Sequence, residues 1–132
     1  MPINPEQTFE LLFDFISNFT RIVSDFSEAE KLKTLEFYVV LYIGLKGPQK
    51  MTNLAKKFST TKSNITNIVD SLEKKGYVER IRSNKDRRVI LISLISKGEK
   101  VFEETLKNFK IMFNDFMSKV SKKTLKLFQR VL

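Results

Sequence analysis

Four cations crowd the seven residues Arg82-Ser83-Asn84-Lys85-Asp86-Arg87-Arg88, and Asp86 is the one acid among them. A solvated turn has no need of four like charges, whose mutual repulsion costs energy at low salt. Such a tip suits a polyanion, with guanidinium groups following a phosphate backbone into a minor groove. Asp86 stands two residues before Arg88, close enough to hold that guanidinium through a bidentate pair. An Asn-Lys-Asp turn would also favour an Asp here, and the two uses are compatible. A second cluster is Thr61-Lys62-Ser63-Asn64, continued by Thr66 and Asn67. Asn can pair with adenine in a major groove, and Ser or Thr with a base edge or a phosphate. Thr61 also suits a helix N-cap, with free backbone N–H groups behind it for a phosphate. A Ser/Thr-rich helix start is ordinary capping chemistry as well, so this second cluster alone does not decide the matter.

Composition narrows the alternatives. The 132 residues contain no cysteine and no histidine. Thiol redox chemistry, disulfides, Cys/His zinc sites and histidine-dependent nucleophiles have no residues to work with. No paired-carboxylate pattern appears either, so neither an enzyme nor a cofactor or metal is expected. The net charge is +9, from 24 basic and 15 acidic residues. Residues 1–30 carry one base and six acids, whereas 31–58 carry six bases and one acid. The N-terminal segment should therefore stay off a polyanion and the middle should face it. No apolar run approaches the roughly 18–20 residues of a membrane span. Met1-Pro2-Ile3-Asn4-Pro5 lacks the pattern of a signal peptide, and a soluble, cytoplasmic protein is expected.

The periodicity supplies the elements that would position both clusters. Pro5 can open a helix in which Phe9, Leu12, Phe13, Ile16, Phe19 and Val23 form one stripe. Leu11, Phe15, Ile22 and Phe26 add a second apolar flank, which in a chain this short points to a partner chain. Ser27 with Glu30 reads as a capping box for a second helix ending near Leu45, before Gly47-Pro48. Thr52 is expected to cap a third helix, Asn53 to Phe58. A fourth runs from Lys62 to about Lys75 and stops at Gly76, with Ile65, Ile68, Val69 and Leu72 inward. Ser63, Thr66, Asn67, Asp70 and Lys74 then face outward. Beyond Gly76 the runs Tyr77–Ile81 and Val89–Ile95 predict a β-hairpin carrying the charged tip. Ser96 with Glu99 reads as another capping box, opening a long helix to about Val120. Phe102, Leu106, Phe109, Phe113, Phe116 and Val120 make a heptad-like seam on it. Ser121 is expected to start a short last helix with Leu125, Phe128, Val131 and Leu132 apolar.

The fold class is therefore mainly α with a small β-hairpin wing. A winged helix-turn-helix at about residues 31–95 is flanked by dimerisation helices at about 5–26 and 96–132, as one domain. The expected function is DNA binding by Thr61, Lys62, Ser63, Asn64, Thr66 and Asn67 on the helix and by Arg82, Lys85, Arg87 and Arg88 on the wing, with Asp86 in support. A winged helix recruited for protein pairing is the competing reading, but its wing need not be basic. A membrane-surface protein fits less well, because the bases do not lie along one amphipathic helix.

These residues also resemble the MarR-type winged helix-turn-helix regulators. The matching stretch includes Leu54-Ala55, then Ile65-Thr66-Asn67-Ile68-Val69-Asp70-Ser71-Leu72-Glu73-Lys74-Lys75-Gly76-Tyr77-Val78-Glu79-Arg80. Asp86-x-Arg88 fits the family's Asp-x-Arg wing, and Ser96-Lys97-Gly98 its Ser/Thr-x-Gly helix start. The resemblance implies a homodimer that places two recognition helices in successive major grooves of a palindromic double-stranded operator. It implies that Arg88 reaches the minor groove, that the regulator represses, and that a small effector in a crevice releases DNA. The missing cysteine excludes the thiol-oxidation branch. Thr60 stands at a turn position that is more often aliphatic, so looser packing is expected there, and a short C-terminal helix predicts a small dimer interface. Phe13, Phe19, Phe37 and Tyr38 could line an apolar crevice for a small aromatic or apolar effector; packing in the core or the interface is their ordinary use.

Overall fold

The computed structural model describes residues 4–131, apart from the side chains of residues 123, 124 and 126–131. In chain order the elements are α1 (Pro5–Glu30), α2 (Thr34–Lys46), α3 (Met51–Lys57), α4 (Lys62–Lys74), β1 (Val78–Arg82), β2 (Ile90–Leu94) and α5 (Ser96–Val131). They form two compact units: Ser27–Glu104, and the remainder of α1 together with α5 from Thr105 on.

The unit spanning Ser27–Glu104 is the winged helix. Phe37, Val39, Val40, Leu54, Ile65, Val69, Leu72 and Ile92 are fully buried. Each such apolar side chain stabilises the core by roughly 1.5–3 kcal/mol. Phe37 is thus a core residue. The hairpin pairs antiparallel, from Val78 opposite Leu94 to Arg82 opposite Ile90. Gln49 adds a third short partner: its N–H reaches the Ile92 carbonyl at 3.0 Å and its carbonyl takes the Ile92 N–H at 2.7 Å. Gly44 lies inside α2, where the Phe102 ring occupies the space of a side chain, 2.3 Å from where a Cβ would be.

In the other unit, Phe15 of α1 packs against Phe109 and Phe116 of α5 at 5.8 and 4.9 Å between ring centroids. Phe19 meets Phe109 edge-on at 6.2 Å. Leu11 and Val23 are buried, whereas Phe9, Leu12, Phe13 and Ile16 on α1 and Ile111 and Phe113 on α5 are exposed. Among the described residues no helix is long and apolar enough to cross a membrane.

Several helix boundaries differ from the sequence reading. Ser27 does not cap α2; it is buried within α1, and its hydroxyl has no partner among the described residues. Instead α1 ends in a Schellman motif, with Lys31 at φ 56° and the Leu32 N–H on the Ser27 carbonyl at 2.8 Å. Glycine usually takes that left-handed position, so a lysine there carries no stop signal. The α2 helix then starts after Lys33, whose N–H is received by the Glu36 carboxylate at 2.8 Å, and it runs past Leu45 to Lys46. Neither Thr52 nor Asn53 starts α3, which begins at Met51 after Lys50. Ile95, not Ser96, stands at the N-cap of α5, since its carbonyl receives the Glu99 N–H at 2.9 Å. No break occurs at Ser121: α5 continues to Val131, so the C-terminal helix is long rather than short. Serine is a tolerable interior helix residue, and without Gly or Pro nothing stops the turn-by-turn bonding. The Phe128, Val131 and Leu132 side chains lie outside the described residues.

Candidate nucleic-acid interface

The recognition-helix candidate, α4, starts where the sequence places it. Thr61 has extended backbone, φ −76° and ψ 154°, and its hydroxyl accepts from the Asn64 N–H at 3.0 Å. That bond satisfies one of the unpaired N–H groups of the first turn. Asn64 also donates its side-chain amide to the Thr60 hydroxyl at 2.8 Å. Thr60 therefore has a polar role in the turn, which an aliphatic residue would lack. Thr66 turns its hydroxyl back to the Lys62 carbonyl at 2.7 Å. Three of the six helix candidates, Thr61, Asn64 and Thr66, thus have their polar ends engaged within the helix start. Lys62, Ser63 and Asn67 are exposed and keep theirs for solvent or a ligand.

Ile68 differs from the expectation that it faces the core. Ile65, Val69 and Leu72 are buried, but Ile68 is only half-buried. With Asn64, Asn67 and Ser71 it lines an open depression of about 380 Å³, whose other wall is Lys33, Leu35 and Glu36. Four inward positions in eight residues cover too wide an arc of the helix, and Ile68 lies at its edge.

Towards its C-terminal end, the outer face of α4 is closed by the wing. Arg80 on β1 donates to Asp70 at 2.7 Å and also to Glu73. This clamp holds both carboxylates and offsets one of their two negative charges on that face. The end of α4 is further tied to the α1–α2 corner. Lys75 donates to the Glu36 carboxylate at 3.0 Å and to the Lys31 carbonyl at 3.2 Å. Burial pushes the Glu36 carboxyl up, but bonds from Ser71, the Lys33 N–H and Lys75 outweigh it and hold the group below its ordinary range. Tyr77 is buried, and its hydroxyl donates to Glu30 at 2.5 Å. Burial, followed by the Glu30 bond and charge, drives that phenol well above its ordinary range.

At the wing tip, the Asp86 carboxylate receives the Arg88 guanidinium at 3.2 and 3.3 Å and the Arg88 N–H at 3.0 Å. These contacts, the guanidinium bond first, together with the charge of Lys50, hold the Asp86 carboxyl below its usual range. The Arg88 side chain nevertheless stays 91% exposed, projecting a fixed cation into solvent. Arg82 behaves differently, because its guanidinium donates to the Arg87 carbonyl at 2.8 Å and braces the tip. Lys85 and Arg87 are exposed.

A family model described as MarR matches residues 32–90, the span holding α2 to the wing. A MarR-like transcriptional regulator from Thermotoga maritima superposes with a TM-score of 0.71 at 38% identity, over 97% of this chain and 91% of that one. The chain belongs to the MarR family. The HTH-type transcriptional regulator YpoP of Bacillus subtilis is 36% identical over 56% of this chain and 52% of its own length. The chain thus spans about half the length of the first curated relatives it matches. MepR of S. aureus, solved as a DNA complex, shares the fold with a TM-score of 0.68 at 21% identity, covering 90% of each chain.

Within this MarR-family chain three polar residues around the candidate interface were not singled out from sequence. Arg80 gave no signal, because its partners Asp70 and Glu73 lie on another element. Gln49 and Lys50 lie in a connection, and only the bridge from Gln49 to Ile92 brings Lys50 within reach of the Asp86 charge.

Proposed function

We propose that this chain is a sequence-specific DNA-binding transcriptional regulator of the cytoplasm, which represses by binding a palindromic operator as a homodimer. The observation that carries the reading is Arg88, held by Asp86 on the tip of a wing yet 91% exposed. Holding a cation in one geometry without neutralising it by burial suits a ligand that is itself anionic and regularly spaced, as a duplex backbone is. The Thr61-capped start of α4 adds free backbone N–H groups and the uncommitted Asn67 carboxamide. MepR, which shares the fold, was solved with DNA and supports the same use.

The homodimer rests on the unit formed by α1 and α5. Phe9, Phe13, Ile16 and Ile111 are 59–70% exposed, an apolar surface that a second copy would cover. Release by a small aromatic or apolar effector belongs to the same proposal and is supported by the family resemblance alone. A protein-pairing role would leave the held Arg88 without a purpose.

The test is a gel shift on duplexes selected from a random pool, at about 50 and 200 mM salt. Binding is expected to weaken steeply between the two, and the recovered half-sites to recur about 10 bp apart, one helical turn. Failure to retain any duplex at the lower salt would falsify the reading.

A further inference from the structure

The α4 face pairs one free carboxamide with one open apolar side chain. Asn64 and Thr66 have their polar ends engaged within the helix start, which leaves Asn67 as the amide available to a base. Its chain neighbour Ile68 escapes the core and lines the 380 Å³ depression together with Asn67 and Leu35. An open β-branched side chain beside a free carboxamide has one obvious counterpart in a major groove. Adenine offers N6 and N7 to an Asn, and thymine is the base that presents a methyl group. The Glu36 carboxylate also lines the depression, but Lys75 balances its charge and Lys33 stands at the rim. The Ile68 and Leu35 side chains therefore give the depression an apolar part beside Asn67, suited to a methyl.

Resting on the DNA-binding reading above, we propose that Asn67 and Ile68 act as a pair that reads an A·T step in each half-site. Asn67 takes the adenine edge, and Ile68, backed by Leu35, takes the thymine C5-methyl. The partner is thus defined chemically: a half-site with a methyl-bearing pyrimidine at one fixed position.

The experiment replaces each thymine of a selected operator by uracil, one at a time, and measures affinity for the full chain. One position per half-site should weaken binding about fourfold, the equivalent of losing one buried methyl group. In Ile68→Ala the same replacement should have no effect, while Ile68→Val should keep part of it. Melting curves of both variants show whether each is folded. The operator-side substitution needs no variant, so a fold defect in Ile68→Ala leaves the primary test intact. A flat uracil scan on an operator that is bound normally overturns the pair. So does a thymine preference that persists in folded Ile68→Ala. The absence of any operator binding would instead overturn the DNA-binding reading itself.

Discussion

On α4, Thr66 returns its hydroxyl to the Lys62 carbonyl at 2.7 Å and Asn64 gives its amide to Thr60. On the wing, Asp86 holds Arg88 at 3.2 Å and leaves it 91% exposed. The first surface draws its polar groups inward until few remain free, and Asn67 is the amide among them. The second organises its charge and keeps it outward. A surface with few free groups discriminates, because each partner it meets must match that group. A surface of fixed cations attracts any duplex. On the proposed function, the helix supplies preference and the wing supplies affinity.

Removing two of the four wing cations should have the largest effect. The double variant Arg87→Ala/Arg88→Ala is expected to weaken operator and random DNA alike, by roughly 10–100-fold, and to lower the salt slope by about two. A loss confined to the operator would break the comparison. Asn67→Ala should cost about 1–3 kcal/mol on the operator and little on random duplex. A fresh selection with that variant should return altered half-sites. If random DNA weakens equally, the helix is acting as a second wing.

Asp86→Asn isolates the positioning of Arg88 from its charge. The pair is exposed, so the loss in affinity should stay within about fivefold, despite one fewer negative charge at the tip. The pH dependence has a definite sign. Arg88 holds the Asp86 carboxyl below its usual range, so the pair persists at neutral pH and is lost only as pH falls through that lowered value. Arg88 side-chain signals in NMR should therefore stay constant from pH 7 to about pH 5; a transition within that window would contradict the pairing. Thr61→Ala should have the smallest effect, about 1 kcal/mol of stability in a thermal or denaturant melt, through loss of the cap. It would sharpen the comparison by showing what the helix start contributes apart from DNA.

The hairpin, the Thr61 cap and the end of α4 were legible because each depends on a local signal: alternating strand residues, a threonine before a helix, and Gly76 at φ 84°. The end of α1 was not, whereas that of α3 was placed within one residue, at Phe58 rather than Lys57. Both close with the same left-handed geometry, but Lys31 and Ser59 occupy the position, at φ 56° and 50°. Non-glycine residues adopt it at a cost of about 1–2 kcal/mol that the surrounding bonds must offset. Long-range partners were hidden for another reason. Arg80 with Asp70, Lys75 with Glu36 and Tyr77 with Glu30 join residues from 10 to 47 positions apart. Helical and strand periods carry no information about such pairs. Ile68 shows a third limit, since a wheel assigns faces but not the width of the neighbour that covers them.

The bridge between Gln49 and Ile92 fixes the root of the wing to the connection before α3, with bonds of 3.0 and 2.7 Å. The tip is closed by bonds of its own, the Ser83 N–H on the Val89 carbonyl at 2.9 Å and the Val89 N–H on the Asp86 carbonyl at 3.0 Å. A segment anchored at its base and self-contained at its end is a module. Residues 83–89 are therefore expected to tolerate exchange for a relative's loop while the domain beneath stays folded. Variation in this fold can therefore explore new groove contacts at the tip while the folded body that carries it stays unchanged.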